Sequence, residues 1–122
     1  PMAPAGVEIA LGVHNDPDFG PLLMIASGGT LVELSRDKRF TLCPVTEHEI
    51  EKMLWNLDMA PLFDGYRDQA PLDRTALAAT IRSLSALAWS TRDRIQSIDI
   101  NPVVVHPGGA VAVDVLIEKK LQ

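Results

Sequence analysis

Two strand-patterned runs meet at a short turn near the carboxyl end of the chain, and their spacing constrains the fold more than any other feature. Ser97 to Val105 and Ala110 to Ile117 flank His106-Pro107-Gly108-Gly109. A symmetric closure with a loop of either two or four residues pairs Val105 with Ala110, and Asn101 then lies directly across from Asp114. Facing residues share a side of the sheet, and Asp99, two positions away, shares that side as well. Three oxygen-bearing side chains thus converge beside the small Ala112. On the opposite side, Ile98, Ile100, Pro102 and Val104 face Val113, Val115 and Ile117, and this wholly apolar surface is expected to meet the core. A one-residue bulge would flip the parity and undo the argument.

The rest of the chain supplies the partners of that hairpin. Val7, Ile9, Leu11 and Val13 alternate with Glu8, Ala10, Gly12 and His14, the period of a half-buried strand. The turn-rich Asn15-Asp16-Pro17-Asp18-Phe19-Gly20-Pro21 joins it to a second apolar run, Leu22 to Ala26. Ser27-Gly28-Gly29 breaks this run; a third strand over Thr30 to Leu34 and a fourth over Arg39 to Cys43 follow, linked by Ser35-Arg36-Asp37-Lys38. Beyond Pro44, Thr46 and Glu49 fit a capping box with Val45 and Ile50 as its hydrophobic staple, which predicts a helix from Glu47 to Asn56. Pro61 to Arg67 reads as an ordered loop. Asp73 is placed to cap a longer helix over Arg74 to Ser90, whose apolar seam is Leu77, Ile81, Leu84 and Ala88. Strands, two helices, then two strands predict an α+β domain with a largely antiparallel sheet and both main helices on one face.

Composition narrows the function. A net charge of −5 argues against nucleic acid as the main partner. The single cysteine, Cys43, excludes an internal disulfide framework, and no Cys/His cluster suggests zinc. Cys43 itself reads as a buried thiol rather than a nucleophile, and Trp55 and Trp89 read as packing groups at helix ends. No apolar run approaches a membrane span, and Pro1 to Gly6 lacks the features of a signal peptide, so a cytoplasmic location is expected.

Several groups are candidates for chemistry, each with a plainer alternative. Asp99, Asn101 and Asp114 form either the wet side of a hairpin or a magnesium site. Mg²⁺ takes hard oxygen ligands, commonly one or two carboxylates, and completes its shell with water and phosphate. Asn101 and Asp114 would be the ligands, leaving the Asp99 charge for a neighbouring step. Gly28 and Gly29 make a tight turn or offer backbone amides to an anion. Glu8 and His14, on one polar strand side with Ala10 and Gly12 between them, form a solvated face or part of a cofactor surface, with Glu8 the candidate contact. Arg67 serves either an anion or a structural ion pair. His48 reads as exposed and His106 as a turn residue.

A family resemblance joins these positions. Gly6-Val7-Glu8-Ile9, then Asp16-Pro17-Asp18-Phe19-Gly20-Pro21, then Gly28-Gly29 with Val32-Glu33, resemble the later part of an ATP-grasp domain. The likeness is greatest to NDP-forming acyl-CoA synthetases, such as ADP-forming acetate–CoA ligases, and to related ATP-grasp regions of protein acetyltransferases. Pro44, Gly65-Tyr66-Arg67, Asp73, Asp99-Ile100-Asn101-Pro102 and Ala110-Val111-Ala112-Val113-Asp114 follow in the same order, so that nearly the whole chain is covered. The last pairing is the most specific and is also found in the nucleotide-binding subunit of succinyl-CoA synthetases.

The resemblance implies that residues 1–122 form the carboxy-terminal ATP-grasp subdomain, beginning after the lysine-bearing strand and the adenine-binding segment. It implies that Asn101 and Asp114 hold Mg²⁺ on the phosphates of ATP or GTP. Asp99, where succinyl-CoA synthetases have Glu, would lie close to the point at which phosphate passes to a histidine on another domain. None of the histidines here, His14 included, takes that part, and relatives often carry Arg where Thr41 stands. The implied activity joins a small carboxylic acid to CoA through an acyl phosphate and a phosphohistidine. The implied partners are the remainder of the ATP-grasp domain and a CoA-binding domain or subunit, and the chain alone is expected to be inactive. A regulatory, ATP-grasp-like module attached to a protein acetyltransferase is the alternative; retained Asp99, Asn101 and Asp114 favour the ligase.

Overall fold

Apolar alternation in the first run produces strand β1 (Val7–Asp16), with Ile9, Leu11 and Val13 buried and Glu8 and His14 exposed on the opposite side. The computed structural model describes residues 6–28, 36–65 and 69–121. The expected third strand over Thr30 to Leu34, together with Gly29, Tyr66 and Arg67, lies outside these residues. Asp16 Oδ1 accepts the amides of Asp18 and Phe19, at 2.8 and 3.1 Å, and so closes the turn into β2 (Gly20–Ser27). Gly20 begins that strand at φ 79°, a conformation open to glycine at little cost. β3 (Lys38–Leu42) lies against β2. After the helices come β4 (Ile95–His106), β5 (Gly109–Ala112) and β6 (Val115–Lys119). The sheet order is β3-β2-β1-β4-β5, with β6 also on β4, and every described pairing is antiparallel. This is the α+β arrangement that the sequence predicts.

Both helices start where their caps place them. In α1 (Glu47–Asn56) the Thr46 hydroxyl accepts from the Glu49 amide at 3.1 Å, and the Glu49 carboxylate accepts from the Thr46 amide at 3.0 Å. These bonds hold the Glu49 carboxyl below the usual range. A depressed folded pKa contributes stability above the unfolded value and loses it as pH falls through the folded one. Thr46→Ala is therefore expected to cost about 1 kcal/mol in urea unfolding at neutral pH. The cost should shrink under acid conditions, where Glu49 is protonated; a penalty independent of pH would show that the Thr46 side chain caps the helix without coupling to the Glu49 charge. In α2 (Arg74–Ser90) Asp73 accepts from the Ala76 amide at 3.0 Å, and Leu77, Ile81, Leu84 and Ala88 are buried as the seam predicts. These residues pack with Ile50 and Leu54 of α1 over Leu11, Val13, Leu23 and Ile25 of the sheet.

Three expectations need correction. The segment expected to be loop starts as a 3₁₀ turn, Ala60–Asp64, which buries Phe63 in the core. Trp55 and Trp89 are not packed away. Each is about half exposed and lies under a guanidinium, Arg74 at 4.0 Å and Arg92 at 4.1 Å from the ring centroid. The guanidinium cation is drawn electrostatically to the ring face, which covers the ring without burying it in the core.

The third correction concerns the last hairpin. Its ladder does pair Val105 with Ala110. The alternation along β4 nevertheless breaks at Asn101-Pro102, where the peptide bond is cis. Against β1, Ile9 faces Val103 but Leu11 faces Ile100, so β4 fits one extra residue into the interval. The core side accordingly passes from Ile98 and Ile100 to Val103 and Val105, whereas Pro102 and Val104 are only partly buried. Val113, Val115 and Ile117 are half or more exposed, because neither helix packs extensively against β6. Cys43, by contrast, is buried beside Ser85, and burial raises its thiol pKa, as expected of an inert structural cysteine.

Candidate functional site

Asn101 and Asp114 stay opposite each other across the break in β4, although Val113 and Asp114 lie between β5 and β6 and make no regular ladder pair. On one side of the break Ile100 faces Val115; on the other Val103 faces Ala112. Both strands advance three residues across the interval and therefore break together. The Asn101 amide donates to the Asp114 carbonyl at 3.0 Å, and the Val113 amide donates to the Pro102 carbonyl at 2.9 Å. The bulge is thus felt against β1 and not between the two polar residues. Alternation from the Ile100–Val115 pair puts Asn101 and Asp114 on the side away from the helices, which is also the side of Asp99. All three are exposed. Asp114 accepts from the Asn101 backbone amide through its own carbonyl and leaves its carboxylate to solvent.

Asp99 is placed by β1. It faces Gly12, and a Cβ on that glycine would come within 3.1 Å of Asp99 Oδ1. The missing side chain lets the carboxylate lie against the sheet. Partial desolvation there raises its pKa, the Glu118 carboxylate raises it further, and His14 opposes the shift. The register explains these neighbours: Ser97 faces both His14 and Glu118, each diagonal to Asp99 on the same face. A groove of about 340 Å³ runs along this open face, with Met24 and Phe40 on its apolar wall and His14, Ser97, Asp99 and Glu118 on its polar one.

Glu8 and Gly28 form the second part of the open face. The Gly28 amide donates to the Glu8 carbonyl at 2.7 Å. A Cβ on Gly28 would sit 2.6 Å from the Glu8 carbonyl carbon, so only glycine passes here. Glu8 faces Val104 beyond the break, and Ala10 lies level with the break itself. The structure therefore brings Glu8, Gly28, Asp99, Asn101 and Asp114 to one side of the sheet. Gly29 and Arg67 lie outside the described residues.

The donor set suits a hard cation that keeps ligands of its own. Among the described residues no three His, Cys, Asp or Glu side chains gather as a metal cage. One amide oxygen and one carboxylate leave several positions for water and phosphate, the usual division for Mg²⁺. The sequence reading missed two contributors. Gly12 carried a signal, since an isolated glycine in a strand marks a close approach. Glu118 carried none, because it falls past the predicted end of the last strand.

Residues 1–118 match the sequence profile of an ATP-grasp domain family. The chain is 36% identical over 116 residues to the acetate–CoA ligase [ADP-forming] II subunit beta of Pyrococcus furiosus, covering 93% of this chain and 49% of that protein. It is 35% identical over 108 residues to the 4-hydroxybutyrate–CoA ligase [ADP-forming] of Nitrosopumilus maritimus, covering 88% of this chain and 15% of that one. In structure it is similar to the dinucleotide-forming acetyl-coenzyme A synthetase 1 of Ca. Korarchaeum cryptofilum in complex with coenzyme A and Mg-AMPPCP. The TM-score is 0.89 at 34% identity, covering 98% of this chain and 55% of that one. The chain thus spans about half the length of the beta subunit it matches. The match extends over nearly the whole chain, and the chain belongs to the ATP-grasp domain family.

Proposed function

We propose that this chain is the carboxy-terminal ATP-grasp subdomain of an NDP-forming acyl-CoA synthetase, and that Asn101 and Asp114 hold Mg²⁺ on its nucleotide. The observation that carries the reading is the backbone hydrogen bond from Asn101 to Asp114, which holds an exposed amide side chain and an exposed carboxylate at facing positions of the hairpin. The relatives lend support: they are ADP-forming CoA ligases, and the Korarchaeum protein is complexed with Mg-AMPPCP and coenzyme A. When bound, Mg²⁺ would neutralise phosphate charge and orient the transferred phosphoryl group. Asp99, held over Gly12 on the same face, then lies beside the line along which phosphate leaves. The Gly28 amide is taken up by the Glu8 carbonyl, so Gly28 serves the site by carrying the backbone close over Glu8, which would flank the nucleotide; Gly29 and Arg67, outside the described residues, are proposed as its further contacts.

Half of a site of this kind positions the metal but not the base. Phosphoryl transfer depends on positioning, so turnover requires the rest of the ATP-grasp domain and a domain or subunit carrying the CoA site and the phosphorylated histidine. The beta-subunit relative and a Korarchaeum structure with a phosphorylated phosphohistidine segment are consistent with such partners. No helix among the described residues is long and apolar enough to cross a membrane.

The test separates the roles of two neighbouring residues. In the enzyme that contains this chain, Asn101→Ala is expected to weaken Mg-nucleotide binding by about tenfold or more, the range of a lost charge-assisted contact. Asp99→Asn should leave that affinity nearly unchanged while slowing phosphate transfer to the histidine. Titration calorimetry and rapid-quench labelling measure the two quantities. Equal effects of both substitutions on nucleotide affinity would contradict the assignment.

A further inference from the structure

Asp37 takes no part in the chemistry above, yet it joins three segments. Its Oδ1 accepts from the Asp58 amide at 2.6 Å, and its Oδ2 accepts from the Met59 amide at 3.1 Å and from the Ser27 hydroxyl. Its backbone carbonyl accepts from the Ser27 amide at 3.0 Å. Ser27 ends β2 and faces Ile9 on β1; Asp58 and Met59 follow the end of α1. Ser27 and Asp37 therefore close the neck of the segment between them and tie that neck to the helical layer. The next residue, Gly28, is the one that crosses Glu8 at a distance no Cβ would allow.

We propose that Asp37, acting through Ser27, is a positioning residue for the nucleotide site: it fixes where the Gly28 backbone runs over Glu8. A carboxylate that accepts from two amides and a hydroxyl is anchored by charge-assisted bonds, which are shorter and stronger than neutral ones. Ser27 is bound through both its amide and its hydroxyl, so it can neither slide along β3 nor rotate away. Gly28 follows it directly and has a 2.7 Å bond to Glu8 to keep. A shift at Ser27 acts on that contact through the chain itself, because Gly28 is its immediate neighbour. The inference rests on the reading of the open face as the nucleotide side.

The substitution that isolates the link is Ser27→Ala in the enzyme that contains this chain. It removes the hydroxyl but leaves Asp58 and Met59 held by Asp37. The KM for nucleotide is expected to rise about tenfold, the lower end for one hydrogen bond to a charged group. The KM for the carboxylic acid should stay at its wild-type value, while the thermal midpoint falls by no more than the few degrees that one lost hydrogen bond costs. Ser27→Thr restores the hydroxyl and should restore the nucleotide KM. Asp37→Asn keeps one acceptor for the turn after α1 and should show the same split should Ser27→Ala fold poorly. An unchanged nucleotide KM, or an equal rise in both KM values, overturns the proposal. Asp114→Ala, run in parallel, separates the two ideas. Normal nucleotide dependence in that variant defeats the open-face reading itself, whereas its loss beside an unaffected Ser27→Ala defeats only the positioning role.

Discussion

Asp114→Ala, introduced into the enzyme that contains this chain, should abolish acid- and CoA-dependent release of nucleoside diphosphate while leaving the fold intact. The argument is local. The Asp114 side chain is exposed, and its structural contribution is the backbone carbonyl that accepts from Asn101, which alanine retains. The metal, however, would keep only the Asn101 amide from this chain. Losing groups that merely orient metal ligands costs roughly 10–100-fold in affinity or activity. Removing the one charged ligand is expected to go further, to about a thousandfold, or roughly 4 kcal/mol of transition-state stabilisation. Diphosphate release followed by a coupled assay measures the loss, and far-ultraviolet circular dichroism monitors the fold. Turnover within tenfold of wild type would remove Asp114 from the metal site.

Local rules made most of this fold legible. Thr46, Glu49 and Asp73 carry their helix starts in their own side chains, and the structure places both helices within the predicted bounds. The polar spacing of β1 likewise fixes which side Glu8 and His14 occupy, because alternation there is uninterrupted. The relation of Asn101 to Asp114 was legible for a different reason. It depends only on the loop that joins β4 to β5, and a break shared by both strands leaves the count between them unchanged.

What the sequence did not show depends on a third strand. Whether β4 bulges is decided by how β1 lies against it, and β1 is some ninety residues away along the chain. Pro102 carries no signal that separates a strand end from a shift in parity. The same holds for Asp37, whose partners Ser27, Asp58 and Met59 come together only once both layers have formed. A charged residue in a turn-like run gives no hint of that. Gly12 and Asp99 meet across two strands for the same reason.

The shift in parity itself can be tested with one substitution at two adjacent positions. Val103→Lys is expected to unfold the domain, and Val104→Lys is not. Val103 is fully buried, so its ammonium would enter the core with no carboxylate to meet it; an uncompensated buried charge costs about 3–5 kcal/mol. A domain of ordinary stability has only about 5–15 kcal/mol to lose, so the unfolding midpoint in urea should fall by a large fraction. Val104 is partly exposed on the open face and lies across from Glu8, which a lysine there would face with opposite charge. Its substitution should stay within about 1 kcal/mol of wild type. Uninterrupted alternation from Ile98 and Ile100 demands the reverse, with Val104 in the core and Val103 outside. If Val104→Lys proves the more damaging of the two, β4 has no break, and the bulge no longer explains how Val103 and Val105 reach the core while Asn101 still faces Asp114.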